Sequence, residues 1–125
     1  MNITIPIGLG DLADRFSIVR LKMINMGVRD CNQHRIRDEF RFFEKLMVEQ
    51  EKTMSPEMHK LATGIAGTNS MIWELENIMR QRGVSDELIN TAFRIRDLND
   101  KRARLKRKLN ELGGAKFLDH KVYRQ

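Results

Sequence analysis

Cysteine is almost missing. Cys31 stands alone, which excludes an internal disulfide framework and fits a reducing compartment. Proline occurs twice and glycine eight times in 125 residues, too few turn residues for a many-stranded β protein. No apolar run approaches the roughly 20 residues that a membrane-spanning helix needs. Met1 to Pro6 carries neither a basic stretch nor a long apolar one, so no secretory signal is expected and the chain reads as cytoplasmic. Against these absences stand 41% apolar and 32% charged residues, a balance that argues against disorder. The length suits a single helical domain over 1–125 with one modest core.

Charge is unevenly placed. The net charge is +6, yet residues 101–125 alone carry +7, from nine Lys/Arg against two acids. The whole basic excess lies in the last fifth of the chain, which points to an anionic partner at one end or face. A solvated helix face would produce the same pattern.

Apolar spacing and helix punctuation give four helices. After an extended lead-in over 1–8, Gly8-Leu9-Gly10-Asp11 opens the first, with Asp11 and Asp14 placed for the positive end of the helix dipole. Its stripe runs Leu9, Leu12, Phe16, Val19, Met23, Met26, and Gly27 stops it. A second helix is expected from about Arg29 to Thr53, striped by Ile36, Phe40, Phe43 and Met47. Its first half is basic and its second acidic, against the dipole. Ser55-Pro56-Glu57 is a strong start for the third, whose stripe is Met58, Leu61, Ile65, Ile72, Leu75, Met79, ending at Gly83. Ser85-Asp86-Glu87 opens the fourth, with Val84 placed to staple onto Ile89. Its stripe is Leu88, Ala92, Ile95, Leu98, Leu105, Leu109, Leu112, and Gly113-Gly114 ends it before a basic tail over 115–125. The tight turn near 84 predicts a long antiparallel helical hairpin, packed with two further helices. The amount of apolar face suggests a homo-oligomeric bundle.

Two stripes are interrupted by polar residues. Thr68 and Asn69 fall where the third helix should be apolar, and Lys101 and Arg102 do so in the fourth. The hairpin sets these gaps level, making a polar notch of Gly67, Asn69, Asn99 and Arg102 beside Trp73. Gly64 and Gly67, costly inside a helix, suggest a close approach there. The notch reads either as a pocket for a phosphorylated ligand, with Arg102 as forked donor, or as a buried polar layer that fixes register. Gly8-x-Gly10 lacks the context of a dinucleotide-binding loop, and turn geometry accounts for it.

Chemistry-bearing clusters are few. Cys31-x-x-His34 is short of a zinc site, and neither His59 nor His120 has matching spacing. Asp97 and Asp100 lie among Arg94, Arg96 and Lys101, where ion pairing is the simpler role. No nucleophile triad or phosphate-binding loop is present. The chain is expected to be no enzyme, with no metal and no cofactor.

The segment Gly10-Asp11-Leu12-Ala13-Asp14-Arg15-Phe16-Ser17-Ile18, followed by Lys22, resembles the opening motif of a family of small all-helical proteins of bacteria and T-even-type phages. Asn69…Trp73-Glu74-Leu75-Glu76 and Asn99-Asp100-Lys101-Arg102-Ala103…Lys106 are similar to the same family. The resemblance leaves out the second helix and brings no biochemical role with it. It implies a phage setting, in the host cytoplasm, where small helical proteins include sponges for cyclic-nucleotide immune signals. By that analogy the expected function is sequestration of a small anionic nucleotide, a cyclic dinucleotide in particular, in an anti-defence role. Arg15, Lys22, Arg102 and Lys106 would meet phosphate, Asn69 and Asn99 base or ribose edges, and Trp73 or Tyr123 would form an aromatic wall. The alternative is a nucleic-acid-binding or phage-assembly protein acting through the basic run 101–108, with no membrane partner.

Overall fold

The computed structural model describes residues 6–27, 31–81 and 86–114. These form four α-helices: α1 Leu9–Asn25, α2 Gln33–Glu51, α3 Pro56–Gln81 and α4 Asp86–Leu112. No strand occurs among the described residues, so the chain is all-α. At about 1.5 Å per residue, α3 and α4 are each about 40 Å long, and α1 about 25 Å.

Local chemistry sets most of the boundaries. At the start of α3, Ser55 Oγ accepts the Met58 N–H at 3.2 Å, and Pro56 occupies the first helical position, where an N–H would have no partner. α4 ends at Leu112, and Gly114 follows with φ +75°, the left-handed conformation that glycine adopts without penalty. α1 begins at Leu9, so Asp14 lies in the second turn and not beside the amino end. α2 is shorter than its pattern suggests and begins at Gln33. Val84 lies outside the described residues, and Ile89, its expected staple partner, is 56% exposed.

α1 is the hub and packs against each of the other three helices. α3 packs on α4, and Glu57 at the start of α3 sits 3.7 Å from Lys108 near the end of α4. The core is the meeting of stripes, with Leu12, Ala13, Met47, Leu61, Ile65 and Leu109 buried and Phe16, Phe43 and Leu105 packed on them. Each large apolar side chain so buried contributes roughly 1.5–3 kcal/mol. Ala92 and Leu112 depart from the expected stripe of α4 and are exposed.

α2 lies along α1, with Phe40 stacked on Phe16 at 5.6 Å between ring centres. Met47 is its one buried residue, while Phe42, Leu46 and Val48 face outward. Among the described residues its ion pairing is confined to Glu49–Lys52 at its own end. Nothing described offsets its reversed charge order.

Candidate functional site

The first turn of α1 has no cap of its own, because Gly8 stands at the capping position. Asn110, fully buried on α4, supplies the acceptor. Its Oδ1 takes the N–H of Gly10 at 2.6 Å and that of Asp11 at 3.3 Å, and its Nδ2 donates to Asp11 Oδ2 at 3.2 Å. A side chain 100 residues away thus satisfies the amides that a local Ser or Asp normally would. The arrangement requires bare backbone. A Cβ on Gly10 would strike the carbonyl oxygen of Lys106, and one on Gly8 the Asn110 side chain. Gly8 and Gly10 are therefore packing residues, a reason beyond turn geometry. The close approach expected at Gly64 and Gly67 is not found. A Cβ on Gly64 would touch Leu105 at 3.4 Å, an ordinary contact, and one on Gly67 would meet nothing.

One turn further along α1, Asp14 is 4% exposed. Arg102 grips its carboxylate with two bonds, Nε to Oδ1 and Nη2 to Oδ2, both 2.7 Å. Asn69 Nδ2 donates to Asp14 Oδ1 at 2.8 Å and to Ser17 Oγ at 2.7 Å, and Ser17 in turn donates to the Asp14 carbonyl at 2.8 Å. Lys106 Nζ lies 3.2 Å from Asp11 Oδ1 and 3.6 Å from Asp14 Oδ2. Burial alone would raise the Asp14 carboxyl. The hydrogen bonds from Arg102 and Asn69 and the charges of Arg102 and Lys106 outweigh it and hold the group below its usual range. Two carboxylates and two cations balance within one seam.

The polar notch therefore exists, but a third helix fills it. Asn69, Arg102 and Lys106 come together as expected, around the carboxylates of Asp14 and Asp11. Asn99 is exposed at the rim, its Oδ1 3.5 Å from Arg102 Nη1. Arg15 and Lys22 point to solvent although α1 does pack on α3 and α4. Trp73 is half-buried, and its indole N–H is enclosed without a partner among the described residues. Tyr123 lies outside the described residues. None of the expected ligand residues among the described ones lines the cavity of about 390 Å³ over α1 or that of about 720 Å³ near Gly113.

Sequence reasoning missed Asp11, Asp14, Ser17 and Asn110 as partners in this seam. The spacing of Asp11, Asp14 and Ser17 by three was the available signal, since it lines one face of α1 with polar groups. The segment from Gly10 to Ser17 has a physical account: Gly10 admits α4, Asp11 and Asp14 hold Lys106 and Arg102, and Ser17 holds Asn69.

Helix periodicity divides the basic run of α4 in two. Arg102 and Lys106 turn inward onto carboxylates. Lys101, Arg104 and Arg107 are exposed and make no ion pair with a described residue, and Lys108 meets Glu57 only at 3.7 Å, both side chains 60% exposed. Exposed pairs of that kind contribute little. Among the described residues no three His, Cys, Asp or Glu side chains cluster to hold a metal, and no helix is long and apolar enough to cross a membrane. Cys31 is exposed. No family model, curated protein or solved structure matches the chain.

Proposed function

We propose that the chain is a binding protein and not an enzyme, and that it holds the phosphate backbone of a nucleic acid against the outer face of α4. The sorting of the 101–108 run supports this reading. The inward cations are neutralised, while the outward ones are left with their charge. Residues 101 to 108 span about 10 Å of helix, the axial length of about three phosphates on one DNA strand. The contacts of Arg102, Lys106 and Asn110 with α1 fix the rotation of α4, so the outward face is a set surface.

A cyclic dinucleotide in the notch would require Arg102 and Lys106 to exchange carboxylate for phosphate, which weakens that reading. Met71, Ile78, Ile89 and Phe93 are 39–56% exposed, which supports a homo-oligomer built on the α3–α4 hairpin. Sedimentation of the full chain measures its mass.

The test is fluorescence anisotropy with a short labelled DNA duplex over a range of salt. Three phosphate contacts predict a slope of log affinity against log salt of about −3. Replacing Lys101, Arg104 and Arg107 together by Glu should remove binding without changing the unfolding free energy. Affinity that ignores salt, or survives this triple replacement, contradicts the proposal.

A further inference from the structure

The concavity over α1 lies on another face from the basic surface and owes nothing to it. α2 packs along α1 and not along α3, which leaves a cleft between α2 and α3 with α1 as its floor. Its volume is about 390 Å³, within the usual range for small-molecule sites. On α3 its lining runs from His59 to Ser70 through Ala62 and Ala66. The eleven helical steps from His59 to Ser70 make the cleft about 16 Å long. Small side chains on α3 leave the space open, and Met47 and Met54, unbranched and adaptable, wall it from α2 and the segment after it.

The two ends differ. Ser17 on α1 meets Asn69 on α3, so Arg20 and Ser70 lie together just beyond that contact. Glu51 and His59 lie at the other end, beside the connection from α2 to α3. Arg20 is exposed and makes no ion pair with a described residue. It therefore stands ready for an anion at the end away from Glu51, and the middle of the cleft offers carbon and sulfur.

We propose that this cleft binds an unbranched amphiphile, an alkyl chain of about twelve carbons with an acidic head group, the head at Arg20 and Ser70 and the chain running toward Met54. The length and the adaptable methionine wall select the chain; the charge placement selects the head and its direction. The Glu51 carboxylate at the far end disfavours binding in reverse. The site is independent of the nucleic-acid reading, because its residues lie on α1, α2, α3 and the α2–α3 connection and none on α4, and the two can fail separately.

The experiment is calorimetric titration of the full chain with sodium dodecanoate below its micelle concentration. Dodecyltrimethylammonium and adenosine monophosphate serve as comparison ligands. The expected result is one dodecanoate per chain, with neither comparison ligand bound. Ala66→Trp should fill the cleft and abolish binding. Arg20→Glu, a change at an exposed position that leaves folding intact, should weaken dodecanoate at least tenfold and admit the cationic amphiphile. Val48→Ser, at an outward apolar position of α2 outside the cleft, should change nothing. Equal binding of the two amphiphiles by the unaltered chain overturns the proposal. So does dodecanoate binding that survives Arg20→Glu or is lost with Val48→Ser. Adenosine monophosphate binding lost with Ala66→Trp would show that the cleft takes a ring and not a chain.

Discussion

Asp14 bears the greatest demand placed on any single side chain here. It is an ionised group removed from water, and it is tolerable because four partners surround it: Arg102, Lys106, Asn69 and Ser17, the last through Asn69. Removing one partner from such a pair leaves the others buried without compensation, a loss of about 3–5 kcal/mol. Asp14→Asn should therefore destabilise the chain by about 3 kcal/mol at pH 7, measured by urea unfolding. The pH dependence follows from the direction of the shift. Asp14 is held below its ordinary value of 3.8. Its contribution is thus present above pH 3.8 and is lost as the pH falls through the lower folded value. The gap between the two proteins should narrow in acid and stay constant from pH 5 to 7; a gap that widens in acid would contradict this account. Asn69 and Arg102 were legible in the sequence because they interrupt apolar stripes. Asp14 was not, since a carboxylate near a helix start has a sufficient local explanation in the dipole. Only the crossing of α4, some 90 residues later, gives it another.

Elements are pinned to one another unequally. The glycines divide by this criterion. Gly10→Ala pushes α1 away from the Lys106 carbonyl and should cost about 2 kcal/mol or more. Gly67→Ala adds a methyl into open space in a helix interior and should stabilise by up to about 1 kcal/mol. Thermal unfolding of the two variants should move in opposite directions, and a shared direction would refute the reading. α2 buries Met47 alone, so its amides should exchange with solvent before those of α1, α3 and α4. Hydrogen exchange followed by mass spectrometry would show this, and equal protection of all four would not fit. Helix identity was readable from local signals: Ser55-Pro56 at one start, Gly113-Gly114 at one end, and apolar spacing between. The directions in which Arg15 and Lys22 point were not. Spacing places them on one face, but which face meets a neighbour is decided by Gly8, Gly10 and Asn110, whose role is tertiary.

For the whole molecule, the central point is the partition of the basic charge of α4. A run that reads in sequence as one cationic stretch is two sets in space. Arg102 and Lys106 hold the fold together across α1. Lys101, Arg104, Arg107 and Lys108 form an outward surface that the fold holds steady. The sequence carries the excess charge openly but cannot say which cations are neutralised, because their carboxylate partners lie on the first helix. The most direct measurement is a pairwise comparison of Arg102→Ala with the Lys101/Arg104/Arg107→Glu triple variant, reading both unfolding free energy and duplex affinity in each. Arg102→Ala should lose about 3 kcal/mol of stability while its folded fraction binds DNA as before. The triple variant should keep its stability and lose its affinity. If Arg102→Ala instead leaves stability intact and abolishes ligand binding, the Asp14 seam is no internal lock, and Arg102 belongs to a pocket.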